Sequence, residues 1–84
     1  SVIHSAFDET PTLVAMVEVS KKLSTTSKLE KAFTLTNSIN DAWWKNEGVT
    51  PMFPEKGCRS TSVGDMVLVG KEKYLCDSMG WSLV

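Results

Sequence analysis

The chain has 84 residues, a formal net charge of −1, 42% hydrophobic and 23% charged residues, a balance that describes one domain (1–84) too apolar for general disorder. Near-neutrality excludes a histone-like binder held by phosphate neutralisation, and it equally excludes an acidic nucleic-acid mimic. No run approaches the roughly 18 apolar residues that span a bilayer, and no charged start leads into an apolar signal core, so a cytoplasmic location, in a cell or an infected host, is expected.

Val2-Ile3 reads as the start of an edge strand, and Asp8-Glu9-Thr10-Pro11 as a polar break within a segment expected to be partly mobile. His4, the only histidine, has no nucleophile, metal ligand or orienting group near it in sequence and reads as an incidental strand or surface residue. Thr12 to Ser20 is the clearest N-terminal strand. Strict alternation puts Leu13, Ala15, Val17 and Val19 on one face and Val14 and Met16 on the other, so both faces carry apolar side chains. Such a strand belongs in a sheet interior or under a partner chain.

Ser27-Lys28-Leu29-Glu30 has capping-box spacing and predicts a helix over 27–37. Leu29, Ala32, Phe33 and Thr36 make its apolar stripe, and Asn37 suits its C-terminal stop. Asn40-Asp41 can cap a short second helical turn over 42–47, ended by Gly48. Neighbouring Trp43 and Trp44 diverge by about 100° on a helix, which sends one of them to the core. Thr50-Pro51-Met52-Phe53-Pro54 reads as a proline-bracketed loop, with a turn at Glu55-Lys56-Gly57.

The last third is the strongest signal. Ser60, Ser62, Gly64 and Asp65 form a turn in which hydroxyls and a carboxylate bond nearby amides and glycine takes a positive φ. Met66-Val67-Leu68-Val69 then reads as a strand, Gly70 to Lys73 as a tight hairpin, Tyr74 to Asp77 as the returning strand, and Trp81 to Val84 as a short third. The expected architecture is α+β: a small antiparallel sheet of strands 12–20, 66–69, 73–77 and 81–84, one main helix across it, and a second short helical turn. Its core is expected to hold Trp81, Phe33, Val67, Val17 and Leu75.

Arg59-Ser60-Thr61-Ser62-Val63-Gly64-Asp65, an apolar strand, Tyr74, Asp77 and Gly80-Trp81 together resemble the ending of YodL-like and KfrB-like domains. These are small domains of phages, plasmids and mobile elements, mostly without an assigned activity. The resemblance covers about the last third of the chain. It departs at Gly64, where many members have Ser, and at Trp81, where most have Phe.

Chemistry is sparse. Cys58 and Cys76 fit no metal-ligand spacing and read as two reduced, packed thiols, with a disulfide between them as the alternative. No Gly-rich phosphate loop, nucleophile elbow or carboxylate pair is present, so neither an enzyme nor a cofactor is expected. Binding remains. Trp43, Trp44, Lys45, Arg59, Lys71, Lys73 and Tyr74 are the candidate binding residues, an aromatic and basic set able to stack on single-stranded nucleic acid if it converges. The reading favoured over that one is a non-catalytic, phage-like accessory protein that binds another protein or itself, because aromatic residues in so small a domain mostly serve core or interface packing.

Overall fold

The computed structural model describes residues 1–7, 9–38, 42–53 and 57–84. Six strands form one fully antiparallel sheet: β1 (Val2–His4), β2 (Thr12–Val17), β3 (Val49–Pro51), β4 (Met66–Val69), β5 (Glu72–Asp77) and β6 (Gly80–Leu83), in the spatial order β3-β2-β1-β4-β5-β6. Helix α1 (Thr25–Leu35) and a 3-10 turn (Trp43–Lys45) supply the rest. The α+β expectation is met, with two strands beyond the four expected in the sheet: β1, read from sequence as the start of an edge strand, and β3, read as loop.

Both extra strands have clear physical reasons. Val2–His4 lies at the centre of the sheet, paired with β2 on one side and β4 on the other. An edge strand was expected here, yet Val2 and His4 are almost completely buried. Val49–Pro51, expected to be loop, lines the outer edge of β2, where Pro51 has no ladder bond to spoil on its open side.

The faces of β2 also differ from strict alternation. The register against β1 shifts between Val2 and Ile3, so Ala15 opposes Val2 but Leu13 opposes Ile3. This bulge leaves Val14 as the extra residue and turns it inward beside Ala15. A one-residue slip exchanges faces, so Leu13 and Met16 end on the side away from the helix.

Helix α1 begins two residues earlier than its expected capping box. Ser24 is the N-cap and accepts from the amide of Ser27 at 3.1 Å, so Ser27 is a donor inside the first turn and not the cap. The helix ends at Leu35 with Thr36 as C-cap, while the Asn37 side chain donates to the Phe33 carbonyl at 2.5 Å. Leu29, Ala32 and Thr36 are buried as the stripe predicts. The expected cap at Asn40-Asp41 and the turn residues Pro54, Glu55 and Lys56 lie outside the described residues.

The core is Val2, Val14, Ala15, Leu29, Ala32, Trp43 and Val67, with Val17 and Trp81 partly buried against it. Phe33 sits at the rim, edge-on to Trp81 with ring centroids 6.1 Å apart. Leu75 pairs with Met66 on the opposite face and takes no part in the core.

Glycine is required at position 64. There φ is +99°, and an added Cβ would stand 2.9 Å from the Ala6 Cβ. Gly64→Ala or Gly64→Ser is expected to cost about 1–3 kcal/mol, combining backbone strain with displacement of the 5–6 segment. A urea midpoint unchanged from wild type would refute this.

Candidate functional site

Two features stand out: a buried polar cluster where β1 meets the turn before β4, and an apolar sheet face that no described element covers. The cluster is organised by Asp65, which is fully buried. Its Oδ1 accepts from the amides of Ser5 and Ala6, each at 2.9 Å, and its Oδ2 from the amide of Ser62 at 2.8 Å. Arg59 donates to both oxygens, Nη1 to Oδ2 at 2.6 Å and Nη2 to Oδ1 at 2.9 Å. Burial would raise the pKa of this carboxyl, but the Arg59 fork and the three amides reverse the effect and hold it down at about 2. Arg59 also bonds Glu9 at 2.6 Å and lies 5.0 Å over the ring of Phe7, a non-glycine residue at φ +57°. One carboxylate thereby ties two residues of the N-terminal segment to a turn about sixty positions away.

His4, expected to be incidental, is buried at the edge of this cluster. Its Nε2 lies 3.0 Å from Thr61 Oγ1 and 3.7 Å from Asp65 Oδ2, and its Nδ1 lies 3.6 Å from Cys58 Sγ. The hydrogen-bond chain assigns the tautomer. Thr36 Oγ1 is 2.8 Å from the Ala32 carbonyl, which only accepts, so the Thr36 hydroxyl donates there. Thr61 Oγ1, 2.7 Å from Thr36 Oγ1, must then donate to it. Its own proton is thereby spent, so Thr61 accepts from His4 Nε2–H. The lone pair of His4 therefore sits on Nδ1, facing the sulfur. Burial lowers the pKa of His4 against the opposing pull of Asp65, and the ring is neutral at pH 7.

Cys58 is half-buried and opens on a cavity of about 240 Å³ whose walls include His4, Thr12, Phe53 and Arg59. The indole N–H of Trp43 donates to the carbonyls of Cys58 and Arg59 at 3.2 and 3.0 Å, which anchors the thiol-bearing segment to the core. Neither Cys58 nor Cys76 is in a disulfide; Cys76 is buried in β5, and burial raises the pKa of its thiol. Sequence spacing does not reveal the Cys58–His4 contact, because 54 positions separate the two and the folded sheet brings them together.

The second feature lies across the sheet. Cross-strand neighbours share a face, so the pairs Leu13–Ile3, Ile3–Met66 and Met66–Leu75 form one continuous apolar row ending at Ser82. Met16 beside Thr50, and Leu68 beside Lys73, extend it along the strands. Leu13 and Met16 are exposed, and Ile3, Met66, Leu68 and Leu75 are half-buried without packing on the core. An antiparallel sheet with one solvated face ordinarily carries polar side chains there.

The residues expected to bind do not converge. Trp43 is fully buried, and half-buried Trp44 packs edge-on to Phe53 at 5.4 Å, while Lys45 is exposed beside them. Arg59 is engaged by Asp65 and Glu9. Lys71 and Lys73 belong to the β4–β5 hairpin, whereas the 3-10 turn contacts β3 at the opposite edge of the sheet. Tyr74 opposes Val67 on the helix-covered face. Asp65 behaves as the turn reading implies, accepting from the Ser62 amide while its own amide donates to the Ser62 carbonyl at 3.0 Å; the hydroxyls differ, because Ser60 Oγ accepts from the distant Ser38 amide and so ties the turn to the segment that follows α1 instead of bonding within it.

No protein-family model matches this chain, and no curated protein or solved structure is significantly similar to it. Among the described residues, no helix is long and apolar enough to cross a membrane, and no group of three or more His, Cys, Asp or Glu side chains is placed to hold a metal ion.

Proposed function

We propose that this is a non-catalytic accessory protein of the phage-like kind implied by its C-terminal resemblance, working by protein–protein interaction through the open sheet face. The observation that carries this reading is the row Leu13–Ile3–Met66–Leu75, an uncharged apolar centre flanked by Thr50, Ser82 and Lys73. An apolar centre with a polar rim is the anatomy of a protein interface. Methionine at 16 and 66 adds side chains that adapt to an opposing surface. The occupant we assign is a second copy. Polar ends on either side of an apolar middle superpose on themselves after a two-fold rotation, as an isologous dimer requires, and a net charge of −1 opposes pairing only weakly.

The test is the double variant Met66→Lys/Leu75→Glu. These residues are directly opposed, so the new charges attract across the strands and the fold should survive. Sedimentation should show a dimer for wild type at micromolar concentration and a monomer for the variant, with matching circular dichroism. A wild-type protein that stays monomeric at several hundred micromolar would defeat the assignment of a second copy.

A further inference from the structure

We propose that Cys58 and His4 form a nucleophilic thiol site that reacts with small hydroperoxides, making Cys58 a site of oxidation to the sulfenic acid. The thiol is accompanied by what the chemistry needs. His4 Nδ1 lies 3.6 Å from Sγ, and the Ala32–Thr36–Thr61 chain holds the proton on Nε2 so that Nδ1 is the acceptor. This is the arrangement of an activated nucleophile: a base within reach of the sulfur, oriented by a third group. Distances of this length tighten when a reactant arrives. The charged groups around the imidazole among the described residues are Asp65, 3.7 Å from Nε2, together with Arg59 and Glu9. Asp65 stabilises the imidazolium that forms when the sulfur gives up its proton; Arg59 opposes it and is itself neutralised by the two carboxylates.

The reaction balances with groups on hand and the peroxide alone. His4 Nδ1 takes the Cys58 S–H proton, and the thiolate attacks the terminal oxygen of ROOH. The S–O bond forms as O–O breaks, and the departing alkoxide leaves as ROH with the proton held by His4. Sulfur loses two electrons and the peroxide gains them, giving Cys58 sulfenic acid. A cavity of about 240 Å³ admits a molecule of this size. Cys76 is buried in β5 and serves as an internal comparison.

The experiment uses the whole purified chain with hydrogen peroxide at pH 7, a sulfenic-acid trap, and site-resolved mass spectrometry. Cys58 should be labelled about tenfold or more faster than N-acetylcysteine under the same conditions, a modest share of what a positioned base supplies, with Cys76 unlabelled. His4→Asn should reduce the Cys58 rate to that of the free thiol. Thr61→Val, which removes the acceptor that fixes the tautomer at nearly constant volume, should give an intermediate rate and shift its pH profile. If His4→Asn does not fold, the wild-type comparison decides. A Cys58 rate equal to that of N-acetylcysteine, or a folded His4→Asn variant with the wild-type rate, overturns the proposal.

Discussion

Asp65→Ala is expected to lower stability by about 3–5 kcal/mol, the range for removing one partner of a buried ion pair. A domain of this length has roughly 4–13 kcal/mol in total, so the loss is a large fraction of the whole margin and should show as a clear fall in the urea midpoint. The size of the effect follows from what is left behind. The amides of Ser5, Ala6 and Ser62 lose their acceptor, and Arg59 loses its buried carboxylate while keeping its bonds to Glu9 and the Ser60 carbonyl. Each stranded buried donor costs about 1–3 kcal/mol, which the replacement side chain cannot offset.

The same carboxylate predicts the acid response. Its folded pKa, about 2, lies below the unfolded value, so the stabilisation is present above the unfolded pKa and is lost as pH falls through roughly 4 to 2. The difference corresponds to about 2 kcal/mol. His4 acts earlier and with the same sign, since its lowered folded pKa lets the unfolded chain bind a proton first as pH drops below its ordinary value. Denaturation profiles from pH 7 to pH 2 should therefore fall in two stages, and Asp65→Ala should flatten the lower one. A variant within about 1 kcal/mol of wild type at pH 7 would show that the carboxylate does not hold the N-terminal segment in place.

Trp43→Ala should cost about 3–5 kcal/mol and Trp43→Phe about 1–2 kcal/mol. The ring is fully buried, packed edge-on against His4, Trp44 and Phe53 at centroid distances of 6.5, 5.6 and 5.5 Å. Alanine opens a cavity at the junction of helix and sheet. Phenylalanine keeps much of the ring but not the N–H, so the carbonyls of Cys58 and Arg59 lose their shared donor. The two substitutions separate packing from anchoring, and guanidinium melts of both variants measure the difference. Because that donor anchors the Cys58 segment, Trp43→Phe should also slow Cys58 oxidation while leaving the sheet signal in circular dichroism intact. Equal losses in the two variants would assign the whole effect to the hydrogen bonds.

Local signals were legible wherever they are short-range. The hairpin of β4 and β5 follows from an apolar β-branched run, a glycine turn and a returning strand, and the positive φ of Gly64 follows from its place in a Ser-rich turn. The helix stripe was equally readable because it depends on a period of 3.6 residues, and the two tryptophans diverge as expected although they stand on a 3-10 turn. Helix start was displaced because Ser24, three residues upstream, is an equally good cap type and takes the Ser27 amide, which adds one turn before the expected box.

By itself, the chain determined its α+β class, its closing antiparallel strands and the role of Asp65 toward the Ser62 amide, since each arises from residues that are neighbours along the backbone. Only the tertiary structure decided that three N-terminal residues become the middle strand, that a bulge at β2 sends Leu13 and Met16 to the open face, and that His4 meets Cys58 and Thr61. The first and third of these are set by contacts across more than fifty positions, and the bulge by the register that β1 and β2 adopt once both pair in the sheet. Neither composition nor periodicity carries register over such a distance, because the selecting contact is made only after both segments are in place.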